Sequence, residues 1–414
     1  MKRRVVITGM GAVTPVGNNV ETMWKNIVNG VNGIAPITLF DASNSKIQIA
    51  AECKDLVIEN YLEPKEARRL DRTHVLGLIA AKEAYEHSKL DSEKIDHDRF
   101  GTFVSSGIGG LWTINEEAKK LHEKGPDRIS PFFIPNAIIN LVGGHIAMKY
   151  QAKGPALPVV TACSTATNSI GEAFRYIRDG YIEIAFAGGS EAPINALGVG
   201  GFAAMKALNA SNDPNTASIP FDRRRSGFVM GEGAGVIILE ELEHAKKRGA
   251  TIYGEIVGYS STCDAYHITQ PDETAYGITK CMQNALEDGN VHPTWIDYIN
   301  PHGTSTLLND KFETVGIKNV FGEHAKKISI GATKSMHAHS LGAVGGIEAI
   351  ITLLAIRDDI VPPTINLFEP DPECDLDYTP LVAKKRVIHY GMSNGLGFGG
   401  QNASIIFKKW EEEQ

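Results

Sequence analysis

The sequence predicts an α/β fold in which mainly parallel or mixed sheets lie buried between layers of helices. Short apolar, β-branched runs alternate along the chain with longer stretches of helical periodicity, the rhythm of strand–helix–strand units. Several of these runs are apolar on both faces, as strands covered by helices on each side must be. The length of 414 residues sets the scale: it exceeds one ordinary domain and suits two of ordinary size or one large duplicated unit.

In chain order the expected strands of the first half are Arg4–Thr8, Phe100–Val104, Leu157–Val160, Ile182–Ala187 and Val236–Leu239. Those of the second half are Ile252–Tyr259, Asp297–Asn300, Ile328–Ile330, Arg386–His389 and Ser404–Phe407. Between them, Ala166, Ile170, Ala173, Phe174 and Ile177 recur at helical spacing after Cys163. Leu341 to Ile356 is apolar nearly all round, which places that helix at the centre of the molecule. Arg4–Gly9 and Ile252–Tyr259 open two stretches of similar rhythm. A structural duplication is therefore expected, with residues 1–250 as one half and 251–414 as the other.

Composition excludes several classes of function. Apolar residues are 43% and charged residues 22% of the chain, ordinary for a globular protein with a large core. The net charge of −8 argues against bulk nucleic-acid binding. No apolar run approaches a membrane span, and the few apolar residues between Arg4 and Gly9 are too short for a signal peptide. Five widely spaced cysteines (Cys53, Cys163, Cys263, Cys281, Cys374), with no CxxC pair, suit neither a disulfide framework nor a zinc site. A reducing cytosol is the expected compartment.

The strongest local signal is Pro158-Val159-Val160-Thr161-Ala162-Cys163-Ser164-Thr165-Ala166. A buried strand ends, small residues surround one cysteine, and a helix begins at once. A thiol at that turn faces unpaired N–H groups and the positive end of the helix dipole, which together are expected to lower its pKa and favour the thiolate. The competing assignment is an inert cysteine packed as a small hydrophobe.

Two further turns present chemistry. In Tyr298-Ile299-Asn300-Pro301-His302-Gly303-Thr304-Ser305-Thr306 a strand delivers a histidine into a Gly/Thr/Ser turn. In Gly331-Ala332-Thr333-Lys334-Ser335-Met336-His337-Ala338-His339 another strand leads to a lysine and two histidines, with His339 at the mouth of the buried helix. His337 and His339, two apart on a strand-like path, are poorly spaced for a metal. One cysteine and two histidines suffice for acyl transfer, the thiol taking the acyl group and N–H donors stabilising developing negative charge. Each histidine read singly is equally a loop residue satisfying a backbone carbonyl, and Lys334 a surface lysine with a buried stem.

Gly227 to Gly235 is glycine-rich but runs into a strand rather than a helix, so it reads as close backbone packing without a nucleotide. In Met392-Ser393-Asn394-Gly395-Leu396-Gly397-Phe398-Gly399-Gly400-Gln401-Asn402 the glycines permit positive φ and close approach to a ligand, with Phe398 as a swinging gate or simply a packed aromatic.

Taken in order, Cys163, His302, Lys334, His339 and the Gly397-Phe398-Gly399-Gly400 turn resemble the β-ketoacyl-[acyl-carrier-protein] synthases of the elongating, Cys-His-His type, nearest to the bacterial synthase II branch. The resemblance runs from Val5-Val6-Ile7-Thr8-Gly9 to Ile405-Ile406-Phe407 and includes Ser106-Gly107-Ile108-Gly109-Gly110, Pro220-Phe221-Asp222, Asp264-Ala265-Tyr266-His267 and Asn309-Asp310. It implies the thiolase fold, with duplicated halves in five αβαβα layers and mixed β-sheets. It also implies a decarboxylating condensation in fatty-acid elongation. Cys163 would take an acyl chain from the phosphopantetheine of acyl carrier protein, and His302 and His339 would assist decarboxylation of malonyl carrier protein. The backbone N–H groups of Cys163 and Phe398 would form the oxyanion hole.

Further roles follow from the same resemblance. Lys334 would belong to a charge network with Asp310, Glu313 and Glu348. Thr304, Thr306 and Thr269 would contact the pantetheine arm, and Ile108, Leu396 and Phe398 would form the gate and acyl pocket. Lys65, Arg68 and Arg69, at i, i+3 and i+4 of an expected helix, and Lys206 would dock the acidic carrier protein. No cofactor or metal is implied. The expected assembly is a homodimer, or a heterodimer with a chain-length-factor-like subunit.

Departures from the family pattern are Pro301 for a usual alanine, His337-Ala338 for Thr-Gly, Gly395-Leu396 for Ser-Phe, and Gln401 for Thr or His. They leave the alternative of a ketosynthase subunit of a type II polyketide or polyene system. A degradative thiolase would want a second cysteine in a C-terminal Gly-rich turn, and Cys374 lies outside one. A chain-length factor would lack the nucleophile.

Overall fold

The computed structural model describes residues 2–412. The strands that carry the architecture are β1 (Val5–Val13), β2 (Phe100–Ser105), β3 (Ile184–Glu191), β4 (Gly233–Glu241), β5 (Gly254–Cys263), β6 (Tyr298–Asn300), β7 (Ser329–Ile330), β8 (Tyr390–Gly397) and β9 (Gln401–Lys408). Their spatial order is β2-β3-β4-β1-β5-β9-β8-β6-β7.

That order repeats itself. In the first set β2 is parallel to β3, which is antiparallel to β4, which is antiparallel to β1. In the second set β6 is parallel to β8, which is antiparallel to β9, which is antiparallel to β5, and β7 adds a further parallel edge. The two sets are mirror-ordered copies, and among the described residues their strands pair where Val5–Ile7 of β1 runs antiparallel to Gly254–Ile256 of β5.

Six helices complete the layers: α1 (Arg72–Ser88), α2 (Leu141–Tyr150), α3 (Thr165–Arg178), α4 (Tyr276–Gly289), α5 (Leu307–Phe321) and α6 (Val344–Asp358). α1 packs on β1 and β4, and α2 on β2. On the opposite side α4 packs on β5 and β9, with α5 against α4. α3 and α6 touch each other and both strand sets, so they form the central of five alternating layers. This explains why Val344 to Ile356 is buried without a polar stripe: α6 meets sheet or helix on every side.

Two expected strands are absent. Leu157–Val160 is extended, but pairing with β2 stops at a bridge between Ala156 and Thr102. Pro155 and Pro158 bring no N–H, and Leu157 and Val160 are left exposed at an open edge. Arg386–His389 is irregular; the C-terminal strand starts later, at Tyr390, and runs through the glycine-rich segment. Met392–Asn402 is thus a hairpin rather than a loop between strands, turning at Phe398–Gly400 with Gly399 and Gly400 at φ 87° and 73°. His337 closes a one-turn helix, Lys334–His337, instead of lying on a strand-like path.

Candidate active site

The chemistry-bearing residues converge at the C-terminal ends of the parallel strands, where loops leave a buried sheet. Cys163 lies in the 3-10 turn Ala162–Ser164 that leads into α3. Ala162 before it holds φ 50°, a left-handed conformation that turns the chain sharply and presents the thiol. His302 follows β6, His339 precedes α6, and Phe398 sits in the β8–β9 turn. Together they line one cavity of about 320 Å³.

The geometry is tight. The rings of His302 and His339 are 5.2 Å apart and nearly perpendicular, and Phe228 packs edge-on to His339 at 5.2 Å. Both Nδ1 atoms are buried without a partner, so Nε2 is the nitrogen each ring offers to a ligand. Burial and the positive charge of Lys334 hold both imidazoles well below their ordinary pKa, so both are neutral. The N–H groups of His302 and Gly303 donate to Glu313 Oε1 and Oε2 at 2.7 and 2.9 Å, which fixes the His302 turn to α5.

The expected lowering of the Cys163 pKa is not found. Burial pushes the thiol up to about 12, while Lys334 and the backbone N–H groups of Phe398 and Cys163 pull the other way. Desolvation of the charged form outweighs the helix terminus at this depth. The same two N–H groups act on the sulfur, so they are the donors available to an oxyanion on an attached acyl group.

Lys334 donates to Glu348 Oε1 at 2.6 Å, both side chains being almost wholly buried. Burial raises Glu348 to about 7 and Glu313 to about 7. Asp310 stands apart from this pair: it accepts from the Phe221 N–H at 3.0 Å and faces Arg225 Nε at 3.6 Å, organising the Phe221–Arg225 turn.

Of the remaining expected residues, Thr269, Thr304, Thr306, Lys206, Leu396 and Phe398 line the cavity, and the Thr304 and Thr306 hydroxyls are 3.1 Å apart. Ile108 packs on the apolar cluster that contains Cys163, Phe228 and Leu341, behind the cavity wall. Lys65, Arg68 and Arg69 are exposed but take no part in the cavity. Their helix is only Pro64–Ala67, with Arg68 as its cap and Arg69 beyond it, its guanidinium 5.5 Å over the Phe132 ring.

Three residues gain a part that the sequence reading left unassigned. Glu191, buried at the end of β3, accepts from the N–H groups of Gly107, Ile108 and Gly342 and from the Ser106 hydroxyl. It thereby ties the Ile108 loop to the start of α6; a carboxylate ending an otherwise apolar strand was its only trace in the sequence. Asp264 joins the loop bearing Thr269 to the Phe398 turn, through Asn402 Nδ2 at 2.7 Å and the Gly400 carbonyl at 2.8 Å. Ala338 holds φ 57° and ψ −165°, a region that costs a residue with a Cβ about 1–3 kcal/mol.

The chain as a whole matches known proteins. Residues 2–245 match the beta-ketoacyl synthase N-terminal domain, and residues 253–368 the C-terminal domain. The chain belongs to the β-ketoacyl synthase family. It is 49% identical over 409 residues to 3-oxoacyl-[acyl-carrier-protein] synthase 2 of Staphylococcus aureus (strain COL), covering 99% of each chain. To the Synechocystis sp. protein of the same name it is 48% identical over 411 residues, again over 99% of each. Among solved structures it superposes on the AntDE:AntF complex, a type II PKS acyl-carrier protein with its ketosynthase, at TM-score 0.92 and 33% identity, covering 99% and 100% of the two chains. The ishigamide ketosynthase/chain length factor gives TM-score 0.93 and 32% identity over 99% and 100%. The fold of this β-ketoacyl synthase is accordingly the duplicated thiolase type, with mixed strands in five layers.

Proposed function

We propose that this protein catalyses the decarboxylating Claisen condensation of an acyl thioester with malonyl-acyl carrier protein in fatty-acid elongation. One observation carries the reading: a single cavity brings together the Cys163 thiol, two backbone N–H groups that act on it and two neutral, perpendicular histidines. In the first stage the Cys163 sulfur attacks the acyl thioester. The tetrahedral oxyanion is held by the N–H groups of Cys163 and Phe398, and it collapses to release the pantetheine thiol, which takes up the proton lost by Cys163. In the second stage the C–CO₂ bond of the malonyl group breaks, CO₂ leaves, and its electron pair forms an enolate. The Nε2–H groups of His302 and His339 donate to the enolate oxygen. The enolate carbon then attacks the acyl carbonyl, and the Cys163 thiolate departs. Burial, together with the positive charge of Lys334, keeps both histidines neutral.

The wall residues support the same reading. Thr269, Thr304 and Thr306 offer hydroxyls to the amides of the pantetheine arm, and Phe398 and Leu396 stand where an acyl chain must pass. Lys206 at the cavity and the exposed Lys65, Arg68 and Arg69 supply positive charge for an acidic carrier protein. The substrates bring their own thiol carrier, so the reaction requires no resident cofactor. Among the described residues no helix is long and apolar enough to cross a membrane, and a cytoplasmic location suits a carrier-protein substrate.

The open edge at Ala156–Val160, with Leu157 and Val160 exposed, favours a homodimer that extends the sheet across two copies. Sedimentation velocity decides this: one species of twice the chain mass is expected, and a monomer at micromolar concentration contradicts it.

A second reading, the ketosynthase subunit of a type II polyketide or polyene system, is favoured by the backbone match to a ketosynthase/chain length factor. The higher identity to the synthase 2 proteins favours elongation. The deciding experiment supplies purified protein with acyl- and malonyl-carrier proteins. One β-ketoacyl product lengthened by two carbons per turnover supports elongation by this chain alone; activity only with a cysteine-less partner supports the second reading.

A further inference from the structure

His337 faces away from the cavity, and nothing in the condensation needs it. Its ring is fully buried and bonded at both nitrogens. Nδ1 lies 2.9 Å from the carbonyl oxygen of Ala338, and Nε2 lies 3.0 Å from Thr333 Oγ1. A carbonyl only accepts, so Nδ1 carries the proton and Nε2 accepts from the Thr333 hydroxyl. Thr333 Oγ1 in turn accepts from Asn300 Nδ2 at 3.3 Å, and Asn300 ends β6 two residues before His302. One chain of hydrogen bonds therefore runs from the strand that delivers His302 to the peptide that precedes His339.

That peptide is the strained one. Ala338 occupies a backbone region that glycine enters freely and alanine does not. His339 follows immediately and donates its own N–H to the Val229 carbonyl at 2.9 Å. Relaxation of Ala338 toward an ordinary conformation would rotate the peptide feeding that bond and swing the His339 ring from the cavity.

We propose that His337 is a positioning residue for His339, its ring bridging Thr333 and the Ala338 carbonyl so that the Ala338 peptide stays in its strained conformation and aims His339 at the cavity. Histidine and alanine thus act as a pair: the family's usual glycine needs no clamp at this position, and alanine does. The kinetic part of the test rests on the condensing function proposed above; the structural part does not.

The test uses full-length wild type, H337L, A338G and the double variant H337L/A338G. H337L is expected to lower kcat for malonyl-carrier decarboxylation by about tenfold or more while its KM and the acyl loading of Cys163 change little. A338G is expected to restore decarboxylation in the double variant, because glycine holds the conformation unaided. If H337L alone fails to fold, a folded and active H337L/A338G still supports the clamp. A folded H337L with wild-type decarboxylation overturns the proposal, as does an inactive double variant that still loads acyl groups. A crystal structure of H337L, or of the double variant, reads the device without reference to catalysis. Rotation of residue 338 out of φ 57° in H337L supports it, and an unchanged Ala338 overturns it. Wild-type protein that neither loads nor decarboxylates would defeat the functional reading alone.

Discussion

Gly397 lies directly against the backbone of Cys163. A Cβ on Gly397 would stand 3.3 Å from the Cys163 nitrogen and 2.5 Å from the Thr161 carbonyl oxygen. The β8–β9 turn can bring the Phe398 N–H to the sulfur only because residue 397 has no side chain. G397A is therefore expected to push the turn outward and slow acyl loading by about 10²–10³-fold, the loss seen when one oxyanion donor is removed. The rate of adduct formation by mass spectrometry checks it; a folded G397A that loads at the wild-type rate contradicts it.

The buried thiol predicts an unusual pH profile. With Cys163 pushed up to about 12, the thiolate fraction of the free enzyme grows about tenfold per pH unit across the neutral range. Alkylation of Cys163 by iodoacetamide is expected to climb from about pH 7 to about pH 10 without levelling. Lys334 lowers the thiol pKa, so K334M is expected to react more slowly throughout that window. A plateau near neutral pH would show that the thiolate is favoured in the resting enzyme.

The Lys334–Glu348 pair predicts a pH-dependent stability defect. K334M leaves the Glu348 carboxyl buried without its cation, a change that costs about 3–5 kcal/mol. Burial already raises Glu348 to about 7, above its value in an unfolded chain, and loss of Lys334 raises it further. A raised carboxyl favours folding below its unfolded pKa, and that contribution is lost as pH climbs through the folded value. The K334M penalty in urea unfolding is therefore expected to be smaller near pH 5 than near pH 8. Equal penalties at both would contradict the assignment.

How much of this was legible in the sequence follows from what each feature depends on. β3, β4 and the central α6 announce themselves through apolar pattern, because burial on both faces leaves no polar period to hide it. Cys163, His302 and His339 are legible because each stands in a turn rich in small residues, His302 after a strand and the other two just before a helix. Glu191 was not, because its work is done on Gly107 and Gly342, partners remote in sequence. The Cys163 pKa is not legible for a related reason: helix dipoles show locally, whereas desolvation comes from Phe228, Leu341 and other distant residues. Leu157–Val160 has strand composition but only one neighbour in a single chain, and Arg386–His389 has strand residues at an exposed corner.

Charge reversal tests the carrier-protein face. K65E/R68E is expected to raise KM for carrier-bound substrate several-fold at low salt, with kcat for a small-molecule thioester unchanged. Added salt should narrow the gap between variant and wild type, since exposed charges are screened within about 10 Å at 0.1 M. Unchanged low-salt kinetics would move the docking face elsewhere, with Lys206 the next position to reverse.

Cys163 as the acyl acceptor is tested most directly by the intact mass of wild type and C163A after incubation with an acyl-loaded carrier protein. Wild type is expected to gain the mass of one acyl group, and C163A none. A C163A protein that still acquires the acyl mass would contradict that role.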